Sequence, residues 1–389
     1  MPTPDGPVDR STANPLGPLG WIVLAVGLPA LLVAVALAPH DAVAAAGQDW
    51  TPFVLVAGLL LVGLVARDDG LFDAGGALMA RAAGGGWTLF AGSAVLVAMV
   101  TAVLNLDTAV AFLTPVLVVA ARRRQTGEAP FLYLAVFLAN GASLLLPGSN
   151  LTNLIVLGHR HLSGAAFAGT MIAAWAAACL VVPAVLAVAF RRSLRTAGPR
   201  TDRWVRPQAG VGLVAVAGAV VTALALTGPA MALVALGIGL LATVWRGAQH
   251  RLTVAQLRRT VDLPVLVGLF GLAVALGALG RAWSGPQWLL AHASSWEAAA
   301  IGAVTSVLCN NLPAASLLAT RPPADPQALL IGLDLGPNLA VTGALSAVLW
   351  LQVARPLGAR PSVRRYTLLG LVVAPVSMAA ALGALTLSR

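Results

Sequence analysis

Most of the chain is built from apolar runs long enough to cross a lipid bilayer, separated by short polar connections. About 20 apolar residues span a hydrocarbon core ~30 Å thick as a helix, and inside it every backbone polar group must find a partner within the protein. Only 10% of the residues are charged, against about 25% in a typical soluble domain. The outer surface therefore faces lipid. The fold class that follows is an all-α polytopic membrane protein. The runs fall at 20–38, 51–66, 87–121, 131–158, 164–190, 209–226, 230–245, 263–280, 295–320, 326–354 and 363–387. Two of them, 51–66 and 230–245, are short for a bilayer, so their helices should extend by a few residues. Three others, 87–121, 131–158 and 326–354, exceed one straight helix and carry polar breaks. Residues 1–19 read as a disordered tail, and Trp21–Ala38 as an uncleaved first span rather than a signal peptide.

The formal net charge of +10 would suggest nucleic acid in a soluble domain. Here every Lys-or-Arg position is Arg, clustered at Arg122–Arg124, Arg191–Arg206, Arg246–Arg259 and Arg355–Arg365. Such clusters between apolar runs follow the positive-inside rule, and no nucleic-acid partner is called for. With the N-terminus in the cytoplasm every cluster falls inside, provided 87–121 enters and leaves on one face as a re-entrant hairpin. Arg160, Arg281, Arg321 and Arg389 then lie outside, as does the connection 39–50 with Asp41 and Asp49. The same reasoning makes 295–320 a second hairpin opening to the outside.

The hairpin tips match. Thr101 to Ala109, with Asn105, Asp107 and Thr108, parallels Thr305 to Pro313, with Cys309, Asn310 and Asn311. Each is followed by a long run with a Gly-x-Asn break, Gly148-Ser149-Asn150 and Gly336-Pro337-Asn338. Two inverted repeats, each with a re-entrant helical hairpin and a broken transmembrane helix, are expected at 20–190 and 209–389, joined by a basic cytoplasmic linker at 191–208. In such folds the breaks meet near the bilayer midplane, where freed backbone groups and half-helix termini hold a solute. The candidate substrate-binding residues are Asn105, Thr108, Ser149, Asn150, Thr152, Asn153, Asn310, Asn311, Asn338 and Thr342.

Of the 14 acidic residues, Asp107 and Asp334 alone fall in the breaks. A carboxylate at that depth is costly and marks a polar cavity or a coupling path, so both are proton-coupling candidates. Asp107 otherwise caps a helix starting at Thr108, and Asp334-Leu-Gly-Pro also fits a helix-ending turn. Cys309 is one cysteine and cannot chelate, and Cys179 lies in a different run, so no metal site is expected. His159 and His161 read as a solvated loop. Asp69–Ala83 has the two faces of an amphipathic interfacial helix, with Arg281–Ala293 as its counterpart. No HExxH or Gly-x-Ser-x-Gly element marks a membrane enzyme, and no cofactor is implied.

The tip Asn105-Leu-Asp107-Thr-Ala-Val, with Leu113-Thr114-Pro115, resembles the first hairpin of the ion-transporter superfamily, and Ser149-Asn150-Leu-Thr-Asn153 resembles its following break. Asn310-Asn311-Leu-Pro313 and Asp334-Leu-Gly-Pro337, with the stretch Gly343 to Leu351, resemble the arsenical-pump membrane protein family. That family usually has Asn directly before the hairpin Asp, where this chain has Leu106. The resemblance implies a plasma-membrane carrier, often a homodimer, that exports arsenite or antimonite in exchange for protons by alternating access. It also implies that such permeases work alone or with a soluble cytoplasmic ATPase. Alternatives on the same fold are a sodium/proton antiporter and a sodium-coupled dicarboxylate or sulfate carrier.

Overall fold

The computed structural model describes residues 18–81, 85–158, 162–195 and 210–389, and among these the regular elements are all helical. The loop with His159 and His161 and most of the linker 191–208 lie outside the described residues. So does the expected tail, except that α1 (Pro18–Leu37) already starts at Pro18. Seven helices among the described residues are long and apolar enough to cross a membrane.

The connection 39–50 differs from expectation. It is the N-terminal part of α2 (Pro39–Asp68), a 30-residue helix. Pro39 opens it where a missing N–H costs nothing, and the Ala-rich stretch that follows has high helix propensity. Asp49, expected in an outer loop, is buried on this helix at 1% exposure. α3 (Leu71–Arg81) lies where the amphipathic helix is expected, and α14 (Gly285–Ala291) lies within the stretch Arg281–Ala293 read as its counterpart. The other uninterrupted helices are α8 (Gly164–Ala189), the short α9 (Arg191–Leu194), α10 (Val211–Ala225), α11 (Gly228–Ala248), α12 (Val254–Thr260), α13 (Leu263–Ala282) and α19 (Val363–Ser388).

Helix is interrupted at each of the four polar breaks. α4 (Gly86–Val103) and α5 (Leu106–Arg123) meet at Leu104–Asn105. α15 (Ser295–Cys309) and α16 (Asn311–Leu318) meet at Asn310, whose φ of 76° is a left-handed value that Asn tolerates better than most residues. α6 (Ala129–Ala142) is separated from α7 (Leu151–Leu157) by a stretch ending in a 3-10 turn at Pro147–Ser149. α17 (Pro326–Leu335) gives way to 3-10 turns at Gly336–Leu339 and Val341–Gly343 before α18 (Leu345–Ala354). Asp334 thus sits in the last turn of α17, one step before the break opens at Gly336.

The backbone groups freed by these breaks find partners, as they must at membrane depth. Asn153 Nδ2 donates to the carbonyls of Ser143 (2.8 Å) and Leu146 (3.2 Å), and Ser149 Oγ donates to Ala102 O (2.8 Å). Trp175 Nε1 donates to Ala142 O and Tyr366 Oη to Pro337 O. The two broken runs also brace each other. Asn140 Nδ2 donates to Asn338 Oδ1 at 2.8 Å, Asn338 Nδ2 to Phe137 O at 3.2 Å, and Ser346 Oγ to Asn140 Oδ1 at 3.2 Å. Around this brace, Phe137 stacks on Tyr366 with ring centroids 4.6 Å apart, and Trp350 packs on Tyr133 at 5.3 Å.

Charged contacts collect at the two ends of the bundle. At one end Arg122 pairs with Glu128, and Arg365 covers the Phe190 ring. There too Arg246 pairs with the buried Asp69, whose other oxygen accepts from Gly212 N at 2.6 Å. At the other end Arg389 pairs with Asp325, and Arg281 binds Gln48. This division matches the grouping of arginines read from the sequence.

Candidate functional site

A cavity of about 670 Å³ runs into the bundle between α2, α5, α12, α13 and α18. Its walls are largely aliphatic, with Leu60, Leu64, Leu266, Leu269 and Leu349 among them. The polar groups divide between two levels. Arg67, Asp68, Gln256, Thr260, Asp262 and Gln352 belong to the end where helices α2 and α18 finish and α13 starts. Asp107, beside Leu151 and Leu345, belongs to the tip of the first hairpin. Beyond it a narrow crevice of about 20 Å³ continues between the two tips, lined by Asp107, Asn150, Asn310 and Asn311.

The first tip shows how Asp107 is placed. Asn105 is the cap of α5: its Oδ1 accepts from Thr108 N at 2.6 Å. Helix therefore begins at Leu106, and the capping role considered for Asp107 belongs to Asn105. Asp107 Oδ1 is enclosed and has no hydrogen-bond partner among the described residues; Thr108 Oγ1 and Asn105 Nδ2 likewise lack one. Three unpartnered polar atoms within four residues are unusual, because leaving one such group unpaired costs about 1–3 kcal/mol. The first turn of α5 offsets part of this cost, since its aligned peptide dipoles favour a negative charge there.

Asp334 lies in a different environment. It is fully enclosed, and its Oδ1 accepts from Thr152 Oγ1 at 2.6 Å and Asn150 Nδ2 at 2.8 Å. Its Oδ2 is 3.2 Å from Ser143 Oγ. Ser143 has one hydroxyl hydrogen, and Asn140 O at 2.8 Å competes for it. Asn150 Nδ2 also reaches Ser143 Oγ at 3.3 Å. If Asp334 Oδ2 carries a proton, it donates to Ser143 Oγ, and the serine hydrogen goes to Asn140 O. Every group in the cluster then has a partner.

The structure thus brings Asn150, Thr152 and Asp334 into direct contact and lines one crevice with Asp107, Asn150, Asn310 and Asn311. Ser149 and Asn338 are spent on backbone and interhelix bonds. Asn153 gives its Nδ2 to two carbonyls while its Oδ1 has no partner among the described residues, and none of the three lines the cavity or the crevice. Thr342 Oγ1 donates to Val307 O and its carbonyl accepts from the crevice-lining Asn310 at 3.4 Å, but Thr342 itself lines neither. The sequence reading did not single out Ser143 and Asn140. Their signal was available, as two polar residues inside the otherwise apolar run 131–146. Arg67 and Gln352 were missed because they sit at the ends of apolar runs, and Gln256 because it lies in an Arg-rich connection, places where polar residues are ordinary.

The family described as citrate transporter, CitMHS, matches residues 18–336, which is most of the chain. The chain belongs to the CitMHS family. CitMHS proteins are membrane transporters of the ion-transporter superfamily, so the resemblance to that superfamily in the hairpin tip and the following break holds. An uncharacterized transporter of Mycobacterium tuberculosis is 27% identical over 403 residues, covering 92% of this chain and 91% of that protein. A 46 kDa membrane protein of Mycobacterium leprae is 25% identical over 380 residues, covering 86% and 85%. Among solved structures, the YdaH transporter of Alcanivorax borkumensis, noted for an unusual topology, aligns with a TM-score of 0.52 at 17% identity. It covers 95% of this chain and 96% of that one, a likeness of fold. The CitMHS chain is a multi-pass transporter.

Proposed function

We propose that this CitMHS-family transporter exports a small neutral oxyacid, arsenite or antimonite, in exchange for protons by alternating access. The observation that carries the reading is the character of the cavity's inner end. A carboxyl with an unpartnered oxygen, Asp107, lines the same crevice as Asn150, Asn310 and Asn311. Among the described residues the cavity has one cationic lining residue, Arg67, and it lies at the other level. Arsenous acid is uncharged near neutral pH and presents three hydroxyls, which amides and a carboxylate can hydrogen-bond. A free polycarboxylate would be repelled by Asp107 and Asp262, since Arg67 is the one cationic lining residue among those described and the nearby Arg246 is held by Asp68 and Asp69. Asp107 faces the cavity and is the group we assign to the coupling proton; Asp334 is the enclosed acid that keeps its own. The N-terminus is cytoplasmic by the Arg distribution, and the carrier belongs in the plasma membrane as a homodimer, with or without an ATPase partner.

A second reading is favoured by the family's description. A citrate-like solute could be carried if a bound cation first neutralised it, with Asp107 contacting the cation. A sodium/proton antiporter would use the same carboxylate for sodium. One experiment separates the three: uptake of arsenite, sodium and citrate into everted vesicles, each with and without an imposed proton gradient. Gradient-dependent arsenite uptake is expected. Uptake of citrate with a divalent cation, or of sodium alone, would replace the proposal by the corresponding alternative.

A further inference from the structure

Gln48, Asp49 and Arg281 lie outside the cavity and take no part in the site above, yet they tie four helices together. Gln48 stands on α2, 19 residues before Arg67. At 1.5 Å per residue that is about 28 Å along the helix, close to the thickness of a bilayer core. The cavity reaches the Arg67 end of α2, and Gln48 marks the opposite end.

The Gln48 amide is a bridge. Its Nε2 donates to Ile155 O at 3.2 Å and to Ala319 O at 3.1 Å. Ile155 is in the last turn of α7, in the first broken run, and Ala319 is the C-terminal cap of α16, in the second hairpin. Both carbonyls sit at helix ends that carry partial negative charge. The amide is oriented by Arg281, whose Nη2 donates to Gln48 Oε1 and whose Nη1 is anchored on Gly277 O at 2.9 Å. With the oxygen held by a guanidinium, the NH₂ group must face the two carbonyls. One residue on, Asp49 Oδ2 accepts from Ser316 Oγ on α16 at 3.1 Å, while its Oδ1 is enclosed without a partner among the described residues. The Arg281 charge lies near enough to attract it. The Gln48 and Asp49 bonds join α2, braced by Arg281 of α13, to α7 and α16, and all are made at the face where the cavity does not open.

We propose that Gln48, Asp49 and Arg281 form the latch that holds this transporter closed on the face opposite its cavity, and that a transport cycle must break it. This rests on the transporter reading, but not on which solute is carried. A helix-packing contact would need only shape. Here single polar groups bridge the ends of two half-helices that also share an apolar contact, so removing one group should change which face is open without unfolding the bundle.

The test measures accessibility rather than transport. In a C179S/C309S background, a reporter cysteine is placed at Ala111, which lines the cavity, and its labelling by a charged maleimide is followed from each face of oriented vesicles. Gln48→Met keeps the length of the side chain and removes the amide. It should slow labelling from the cavity face and speed it from the opposite face, shifting the ratio roughly tenfold, as expected for two net hydrogen bonds. Ser316→Ala, a milder change, should shift it in the same direction by roughly threefold. Arg281→Lys, which keeps the charge but loses the planar fork, should fall between wild type and Arg281→Gln. Unchanged ratios in both Gln48→Met and Ser316→Ala would overturn the latch, and so would lower transport with an unchanged ratio. Failure of arsenite transport in the vesicle assay would leave these ratios unaffected.

Discussion

Two carboxyls lie at the helix breaks, Asp107 and Asp334, and the atoms around each suggest opposite uses. Asp334 is met by Thr152, Asn150 and Ser143 in an arrangement that is complete when Oδ2 is protonated. Asn is a close mimic of that form, with its oxygen facing Thr152 and Asn150 and its NH₂ facing Ser143. Asp334→Asn is therefore expected to leave the detergent-solubilised thermal midpoint nearly unchanged, whereas Asp334→Ala strands buried donors and should cost about 2–4 kcal/mol. Equal destabilisation by Asn and Ala would mean that the carboxylate is ionised in the fold. Asp107 has no such cluster. Asp107→Asn should preserve stability and membrane insertion but abolish proton-driven accumulation, with downhill solute exchange partly retained. A full proton-dependent gradient in that variant would move the coupling site to Asp334. Cys309, whose sulfur donates to Thr305 O at 3.1 Å, tests the sulfur chemistry an arsenite carrier invites. A serine makes the same bond, so Cys309→Ser should keep most transport, and total loss with normal expression would assign the thiol to the solute.

At the scale of elements, the breaks were readable because a polar residue inside an apolar run is costly in lipid and persists there for few physical reasons. Gly148-Ser149-Asn150 and Gly336-Pro337-Asn338 interrupt helix where the sequence says they should. The start of α2 was not readable, because Pro39 and the small residues after it look like a loop until they are known to be buried. Which polar residues line the cavity was harder still. Asn153 and Asn338 have the composition of ligands, and only their bonds to Ser143 O, Leu146 O, Asn140 and Phe137 O show that they hold the breaks together. The N-terminus of α17 offers a test of helix capping away from the membrane interior. Asp325 accepts from Ala328 N, from Ser295 Oγ and from both terminal nitrogens of Arg389. Partial burial would raise its carboxyl, but these bonds outweigh it and hold the group at about 2. A depressed acid stabilises the fold fully above its unfolded value and loses that contribution as pH falls through the folded one. Arg389→Gln should therefore lower the thermal midpoint at about pH 6, and the gap from wild type should close as pH approaches about 2. A gap that is constant across this window would mean that Arg389 acts by packing alone.

For the molecule as a whole, arginine placement was the most economical clue. Arg122 and Arg246, far apart in the chain, lie at one end of the bundle, and Arg281 and Arg389 at the other, as the alternation of runs required. The clue worked because an exposed guanidinium cannot rest in hydrocarbon, so each cluster reports a face directly. The latch was invisible to the same reasoning. Gln48 and Asp49 were read as part of a polar outer connection, and only the helical continuation of α2 brings them against Ile155, Ser316 and Ala319. Arg281 was counted as one outer charge among four, although its role is to orient a glutamine. The end that carries Arg122 and Arg246 is also the end towards which the cavity opens, since Arg67 and Asp68 belong to both. If that end is cytoplasmic, the structure is an inward-open carrier, the state in which an exporter loads its solute. Single cysteines placed within 124–127 and 249–252 should then be labelled by an impermeant maleimide only from the cytoplasmic side. One placed within 321–324, beside the Asp325 and Arg389 pair, should be labelled only from outside. Labelling of 124–127 from outside, with 249–252 still cytoplasmic, would place the two ends of α5 and α11 on opposite faces and dissolve the inverted repeat. Reversal of all three sites would keep the repeat and turn the molecule over, making this same cavity an outward-facing one.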